Sequence, residues 1–284
     1  VAVIWLSPVV GPVLYMLFGI NRVQRKAALL RAGVRRYSAP SVVPPIAAAD
    51  LAARFAEGEQ LAEIARAIDR VSRRPLVPGN AIAPLLDGDQ AYPAMLEAIG
   101  AAARSVTLAT YIFDSDPVGM QFVEALAAAS RRGVEVRVLV DDAGTRYSRP
   151  RIQRVLRHHG VRVARFLPMS SAWLRYLNLR NHRKILVTDG RLGFTGGMNL
   201  RAGHALVGAP RHPIRDVHFR VEGPVVGQLQ EAFAEDWQYT TGEALAGERW
   251  FPSLEARGPV IARAITDGPD EDLDKLSSTL LAAL

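Results

Sequence analysis

The chain of 284 residues is 49% hydrophobic and 22% charged, enough apolar content for one large core or two modest ones, which excludes a disordered or low-complexity polymer. Its 35 Lys and Arg against 28 Asp and Glu give a formal charge of +7, so the surface attracts phosphates, whether of nucleic acid or of lipid headgroups. With no cysteine, disulfide frameworks, thiolate metal sites and cysteine nucleophiles are excluded.

Residues 1–20 carry no charged side chain and match the ~20 residues needed to cross a bilayer core. Arg22, Arg25, Lys26, Arg31, Arg35 and Arg36 follow with no intervening acid, the pattern of a cytoplasmic flank. We therefore expect a transmembrane helix over 1–20, the alternative being a buried core helix. Pro40, Pro44 and Pro45 mark the basic segment 21–49 as a linker. From Asp50, an N-cap candidate, Leu51, Phe55, Leu61, Ile64, Ile68 and Val71 recur at roughly helical spacing until Pro75. Residues 50–79 thus read as a connecting helix.

Beyond Asn80 helices and strands alternate: a helix near 91–103, a strand over 106–113, and a helix near 118–132 with Gly133 as its C-cap. The strand VEVRVLVDD follows, ending in Asp141 and Asp142, where a turn and a ligand site are equally good readings. A helix ending at His158, His159 and Gly160, the strand VRVARF, and strand candidates over 184–188, 192–195 and 217–221 complete the pattern. The alternation implies an α/β layered domain over 80–250 with a mixed, largely parallel sheet. Trp173, Leu174, Tyr176 and Leu177 suit packing on the core or contact with acyl chains. His204, His212 and His218 show no metal-ligand spacing.

The chemistry concentrates in NHRKILVTDGRLGFTGGMNL, where His182, Lys184 and Asp189 form H-x-K-x(4)-D and Gly196, Gly197 and Asn199 follow. On a strand, His182 and Lys184 project to the same face. A neutral imidazole can attack phosphorus while an ammonium and an amide hold the negative charge that develops on the phosphate oxygens. Glycines at 196 and 197 let backbone approach a phosphate closely. A surface strand with a solvated His and Lys is the bland alternative.

This motif resembles that of the phospholipase D superfamily, and within it the bacterial cardiolipin synthase type. The likeness extends to the apolar N-terminus ending LYMLFGINR and to LLDGDQAYPAMLEAIGAA, GVEVRVLVDDAG and RDVHFRVEGPVVGQLQEAFAEDW. It implies a layered phospholipase D-like domain on a bacterial inner membrane, facing the cytoplasm. It also implies a ping-pong transfer that uses no metal or cofactor: a histidine takes a phosphatidyl group, and a second histidine protonates the departing alcohol and then deprotonates the incoming one. The expected substrate is phosphatidylglycerol or another anionic phospholipid; nucleic acid is not expected. Carried over by position, His182 is the histidine of this half, Lys184 and Asn199 are phosphate ligands, and Asp189 is a structural carboxylate. Asp216 either hydrogen-bonds the other ring nitrogen of the histidine or forms a salt bridge with Arg215 or Arg220.

The chain holds one H-x-K where enzymes of this type have two. AITDGPDEDLDKLSSTLLAAL echoes APLLDGDQAYPAMLEAIGAA, Asp267 and Gly268 matching Asp87 and Gly88, so residues 251–284 read as the start of a second, truncated half-domain. The chain is then expected to be a fragment, inactive alone unless it pairs with another copy. Two rival readings stay open: a homodimeric single-motif nuclease or phosphodiesterase of the same superfamily, and a non-enzymatic phospholipid-binding module.

Overall fold

The computed structural model describes residues 33–266 apart from 71, 73, 148 and 169–179, together with Thr279. The span expected at 1–20, the loop with Trp173 and the echo at Asp267 lie outside the described residues. Among the described residues no helix is long and apolar enough to cross a membrane.

The strands are β1 (Val77–Leu86), β2 (Ser105–Thr110), β3 (Glu135–Asp141), β4 (Val163–Phe166), β5 (Ile185–Thr188), β6 (Leu192–Gly196), β7 (Val217–Glu222) and β8 (Val260–Ala262). The α-helices described below are α1 (Ala49–Arg54), α2 (Gly58–Asp69), α3 (Asp87–Ala101), α4 (Pro117–Arg131), α5 (Ile152–His158) and α6 (Val225–Thr241). All eight strands join one sheet in the order β4-β3-β2-β5-β6-β7-β1-β8. β8 thereby adds residues 260–262, which the sequence assigns to a second half-domain, to the edge of this sheet.

The α/β architecture and the mixed sheet agree with expectation, but the sheet is not largely parallel. Only β2 with β3 and β3 with β4 run parallel; the other pairings are antiparallel. The connections explain this. Parallel neighbours need a crossover, supplied by α4 and α5, whereas β5 turns into β6 through Asp189 and Gly190, both at positive φ (52° and 66°), a tight reversal that only antiparallel strands accept.

Alternation along the central strands feeds two cores. Val106 and Leu108 of β2, Val136, Val138 and Val140 of β3, Leu186 of β5 and Phe194 of β6 pack under α3, α4 and α5. Ala109, Leu139, Ile185 and Val187 face the other way, onto α6, Trp250 and Leu254. Strands covered on both faces read as continuous apolar runs, which is why β2 and β3 are conspicuous in the sequence.

Two local readings are corrected. The connecting helix is two helices, α1 and α2, broken at residues 55–57. The inner face of α2 is built from Gly58, Ala62 and Ala65, while Phe55 and Leu61 are exposed, because small residues let the two helices approach closely. Asp50 lies inside α1 and its carboxylate accepts the Ala47 N–H from there, so it is not the N-cap. The helix α6 has no amphipathic signature because its polar side chains are buried too. Gln228 bonds the Pro75 carbonyl and the Ala264 N–H, Gln230 accepts from Thr107, and Glu231 accepts the Ala39 N–H.

Phe194 is fully buried across from Leu186, its β5 partner. Phe194→Ala is expected to lower unfolding stability by about 3–5 kcal/mol in urea titration, with an unchanged far-ultraviolet dichroism spectrum.

Candidate active site

Antiparallel pairing of β5 with β2 and β6 brings the start of β5 beside the ends of β2 and β6, with the start of β7 next to the end of β6. The parallel register of β3 on β2 places Asp141 at the same end of the sheet. His182, Lys184, Asn199 and Asp216 all stand at this end.

His182 and Lys184 precede β5 instead of lying on it. The expected alternation nevertheless holds, because acids beneath the segment fix it. Asp141 accepts the Asn181 N–H at 2.9 Å and pairs with Arg180 at 3.5 Å. Asp236 of α6, 1% exposed, accepts from the Asn181 amide at 2.7 Å and from Arg183 at 2.6 Å. Asn181 and Arg183 thus point inward, and His182 and Lys184 meet on the opposite side. There the Lys184 ammonium lies 2.9 Å from His182 Nδ1 and donates to the His182 carbonyl at 2.7 Å. Tyr111, at the end of β2, backs both: its ring centre is 4.9 Å from the His182 ring and 6.0 Å from Lys184 Nζ.

The electrostatics follow from burial. Lys184 is 6% exposed, and desolvation lowers its pKa from 10.5 to about 8, against the opposing pull of Asp216. His182 is exposed, yet partial desolvation and the Lys184 charge lower its pKa below 6.5, so the imidazole is neutral at neutral pH. Burial lifts Asp141 to about 6 in spite of its two backbone N–H donors.

Asn199 accepts the Ile112 N–H through Oδ1 at 2.9 Å, which orients its amide and leaves Nδ2 as its donor. Its backbone is pinned by the buried Tyr92 of α3, whose hydroxyl donates to the Asn199 carbonyl at 2.7 Å.

The two glycines are required by the packing of β7 against the site. A Cβ at Gly196, where φ is 154°, would stand 2.7 Å from His218 Nδ1, and one at Gly197 would collide with the Asp216 carboxylate. The Gly197 N–H is already given to the Val217 carbonyl at 3.2 Å. Both positions are glycine so that β7 can seat Asp216 and His218 against the site.

Asp216 makes neither contact expected of it. Its carboxylate accepts the Val217 N–H at 2.7 Å, Lys184 holds the ring nitrogen of His182, and Arg215 and Arg220 bridge to Asp87 and Glu222. Asp189 sits apart from the site, at the far end of β5. There its carboxylate gathers the N–H groups of Ala103, Arg104 and Ser105 at 2.7–3.2 Å, a structural role and not one in proton transfer.

Sequence reasoning named Asp141 and His218 without placing them in the site, and passed over Tyr111 and Asp236. His218 is 1% exposed; burial, with His204 and Lys184 nearby, lowers its pKa to about 4. A signal existed only for Asp141, as an acid at the carboxyl end of a buried strand.

The model of the family described as "Cardiolipin synthase, PLD-like domain" matches residues 95–237. The chain is 32% identical over 295 aligned residues to Cardiolipin synthase 1 of Bacillus anthracis, covering 99% of this chain and 57% of that protein. It is 34% identical over 222 residues to Cardiolipin synthase A of Pseudomonas entomophila, covering 77% of this chain and 46% of that protein. The chain thus spans about half the length of the relatives it matches. A phospholipase D family member from Salmonella typhimurium superposes with a TM-score of 0.43 at 20% identity, over 65% of this chain and 99% of that one.

A buried ammonium weakens the fold wherever it is charged. The folded state releases the Lys184 proton near 8 and the unfolded chain near 10.5, so between those values the unfolded state binds more protons and stability rises with pH. Lys184→Met is therefore expected to raise the melting temperature at pH 7 by at least about 2 °C, with the gain shrinking as pH climbs through that window; calorimetry at stepped pH measures it.

Proposed function

As the chain belongs to the family of the cardiolipin synthase PLD-like domain, we propose that it forms one half of the active centre of a membrane-bound phosphatidyltransferase that makes cardiolipin from phosphatidylglycerol. The observation that carries this reading is the pairing of a neutral His182 with a buried Lys184 whose ammonium donates only to His182 among the described residues. A cation desolvated without a carboxylate partner is prepared for an anion from outside.

In the resting arrangement Lys184 donates to Nδ1, so the neutral ring of His182 carries its proton on Nε2. A phosphate diester that draws the ammonium away frees Nδ1. The ring proton then moves to Nδ1, the Asp216 carboxylate turns from the Val217 N–H that it accepts in the resting structure to accept from Nδ1, and Nε2 becomes the nucleophile. Nε2 forms a bond to phosphorus, the bond from phosphorus to the glycerol oxygen breaks, and Lys184 and the Asn199 amide hold the charge on the non-bridging oxygens. The departing alkoxide takes a proton from a second histidine, contributed by a second half-domain or a second copy of this chain. That histidine then removes the proton of an incoming phosphatidylglycerol hydroxyl, whose oxygen displaces Nε2 from phosphorus. The membrane is both the location and the source of substrate.

Incubation with phosphatidylglycerol vesicles followed by alkaline quench and peptide mass spectrometry is expected to find a phosphatidyl or phosphoryl adduct on His182, absent from His182→Ala. Substrate turnover with no adduct, or an adduct that survives the substitution, refutes the covalent route.

Asp216→Asn, in a preparation that turns over, is expected to lower kcat by about 10²–10⁴-fold with KM little changed. A change in KM alone would remove Asp216 from the proton path.

A further inference from the structure

The rim around His182 carries two loops whose sequences hold no acid, ALVGAPRHPIR over 205–215 and AGTRYSRPR over 143–151, the second buried at Gly144 and Thr145 and exposed at Arg146, Tyr147, Arg149 and Pro150. Their tips are apolar. Val207 is 88% exposed, Ile214 is exposed, and Tyr147, 60% exposed, stands on the other flank of the site. Val207 is not exposed for want of order. The Asp89 carboxylate at the start of α3 accepts the N–H groups of both Leu206 and Val207, at 2.8 and 3.2 Å, and the Ile214 N–H returns to the Gly203 carbonyl at 2.8 Å. An apolar tip held rigidly in water, flanked by Arg211 and Arg215, is the composition of an interfacial contact. The opposite end of the sheet is mixed in charge, its exposed Glu248 and Glu255 lying beside Arg104 and Arg257, which are exposed too.

We propose that this rim is the face by which the domain docks on an anionic bilayer, Val207 and Ile214 entering the headgroup region while Arg211 and Arg215 pair with lipid phosphates. The inference deepens the phosphatidyltransferase reading and rests on it for its purpose: a docked rim presents His182 directly to headgroups, with no need to extract a lipid into water. Charge complementarity selects the partner, since a neutral bilayer would match the apolar tips but offer no net anion to Arg211 or to Arg215, whose 4.0 Å contact with Asp87 leaves its side chain 86% exposed.

The absence of cysteine makes the test direct. Val207→Cys and, as the far-end reference, Glu248→Cys are each labelled with an environment-sensitive fluorophore in the whole chain, then titrated with vesicles of phosphatidylcholine with and without phosphatidylglycerol. We expect a blue shift and intensity gain at 207 with the anionic vesicles, none at 248, and about a tenfold weaker response at 207 after Arg211→Glu with Arg215→Glu. An unresponsive label at 207 on vesicles that co-sediment with the chain, an equal response at 248, or a response at 207 to single-stranded DNA and not to vesicles overturns the proposal. The readout is position and not turnover. A docked label without an adduct on His182 would overturn the covalent chemistry alone.

Discussion

Two buried carboxylates, Asp141 at the end of β3 and Asp236 on α6, decide whether this site exists. Each draws the 180–184 segment inward, Asp141 through the Asn181 backbone and Asp236 through the side chains of Asn181 and Arg183. Buried charges are tolerated only when paired and hydrogen-bonded, so the segment cannot leave without stranding them. The residues between, His182 and Lys184, are thereby turned to the opposite side. The site is held from behind by groups other than His182 and Lys184.

Much of this was legible in the sequence, and what was not has identifiable causes. The central strands and the helices between them showed in apolar runs and in the glycine after α4, because a sheet covered on both faces leaves an unbroken hydrophobic signature. The motif itself was legible because its spacing is local. The mixed character of the sheet was foreseen, but its parallel share was overestimated because the direction of β5 depends on a turn of a few residues, too short to register against the alternation of helices and strands. The helix α6 was silent because its glutamines and Glu231 are buried in bonds to distant backbone, and β1 because Pro78, Gly79 and Pro84 punctuate it as a loop would be. Asp236 and Tyr92 escaped for the same reason: each acts on the site from an element far away in the chain, and one sequence gives no sign of where such a side chain will arrive.

The site also places ionisable groups where burial costs stability. Lys184 is nearly enclosed with no counter-carboxylate within salt-bridge range among the described residues, and His218 is sealed with its Nδ1 unpartnered. The sheet beneath carries this strain because the flanking cores are complete on both faces.

The position of Asp189 gives the motif a meaning that its letters do not. Clamped by three consecutive N–H groups on the 103–105 corner, Asp189 nails one end of β5 to the body of the domain, while Lys184 marks the other end. The four residues between them are the strand. H-x-K-x(4)-D is therefore a ruler, and its unit is the pleat: removing one residue from β5 would draw Lys184 back by about 3.3 Å and rotate it to the side that faces Asp236. The acid at the end of the motif lies away from His182 and Lys184, yet it fixes the distance and the hand at which they are presented.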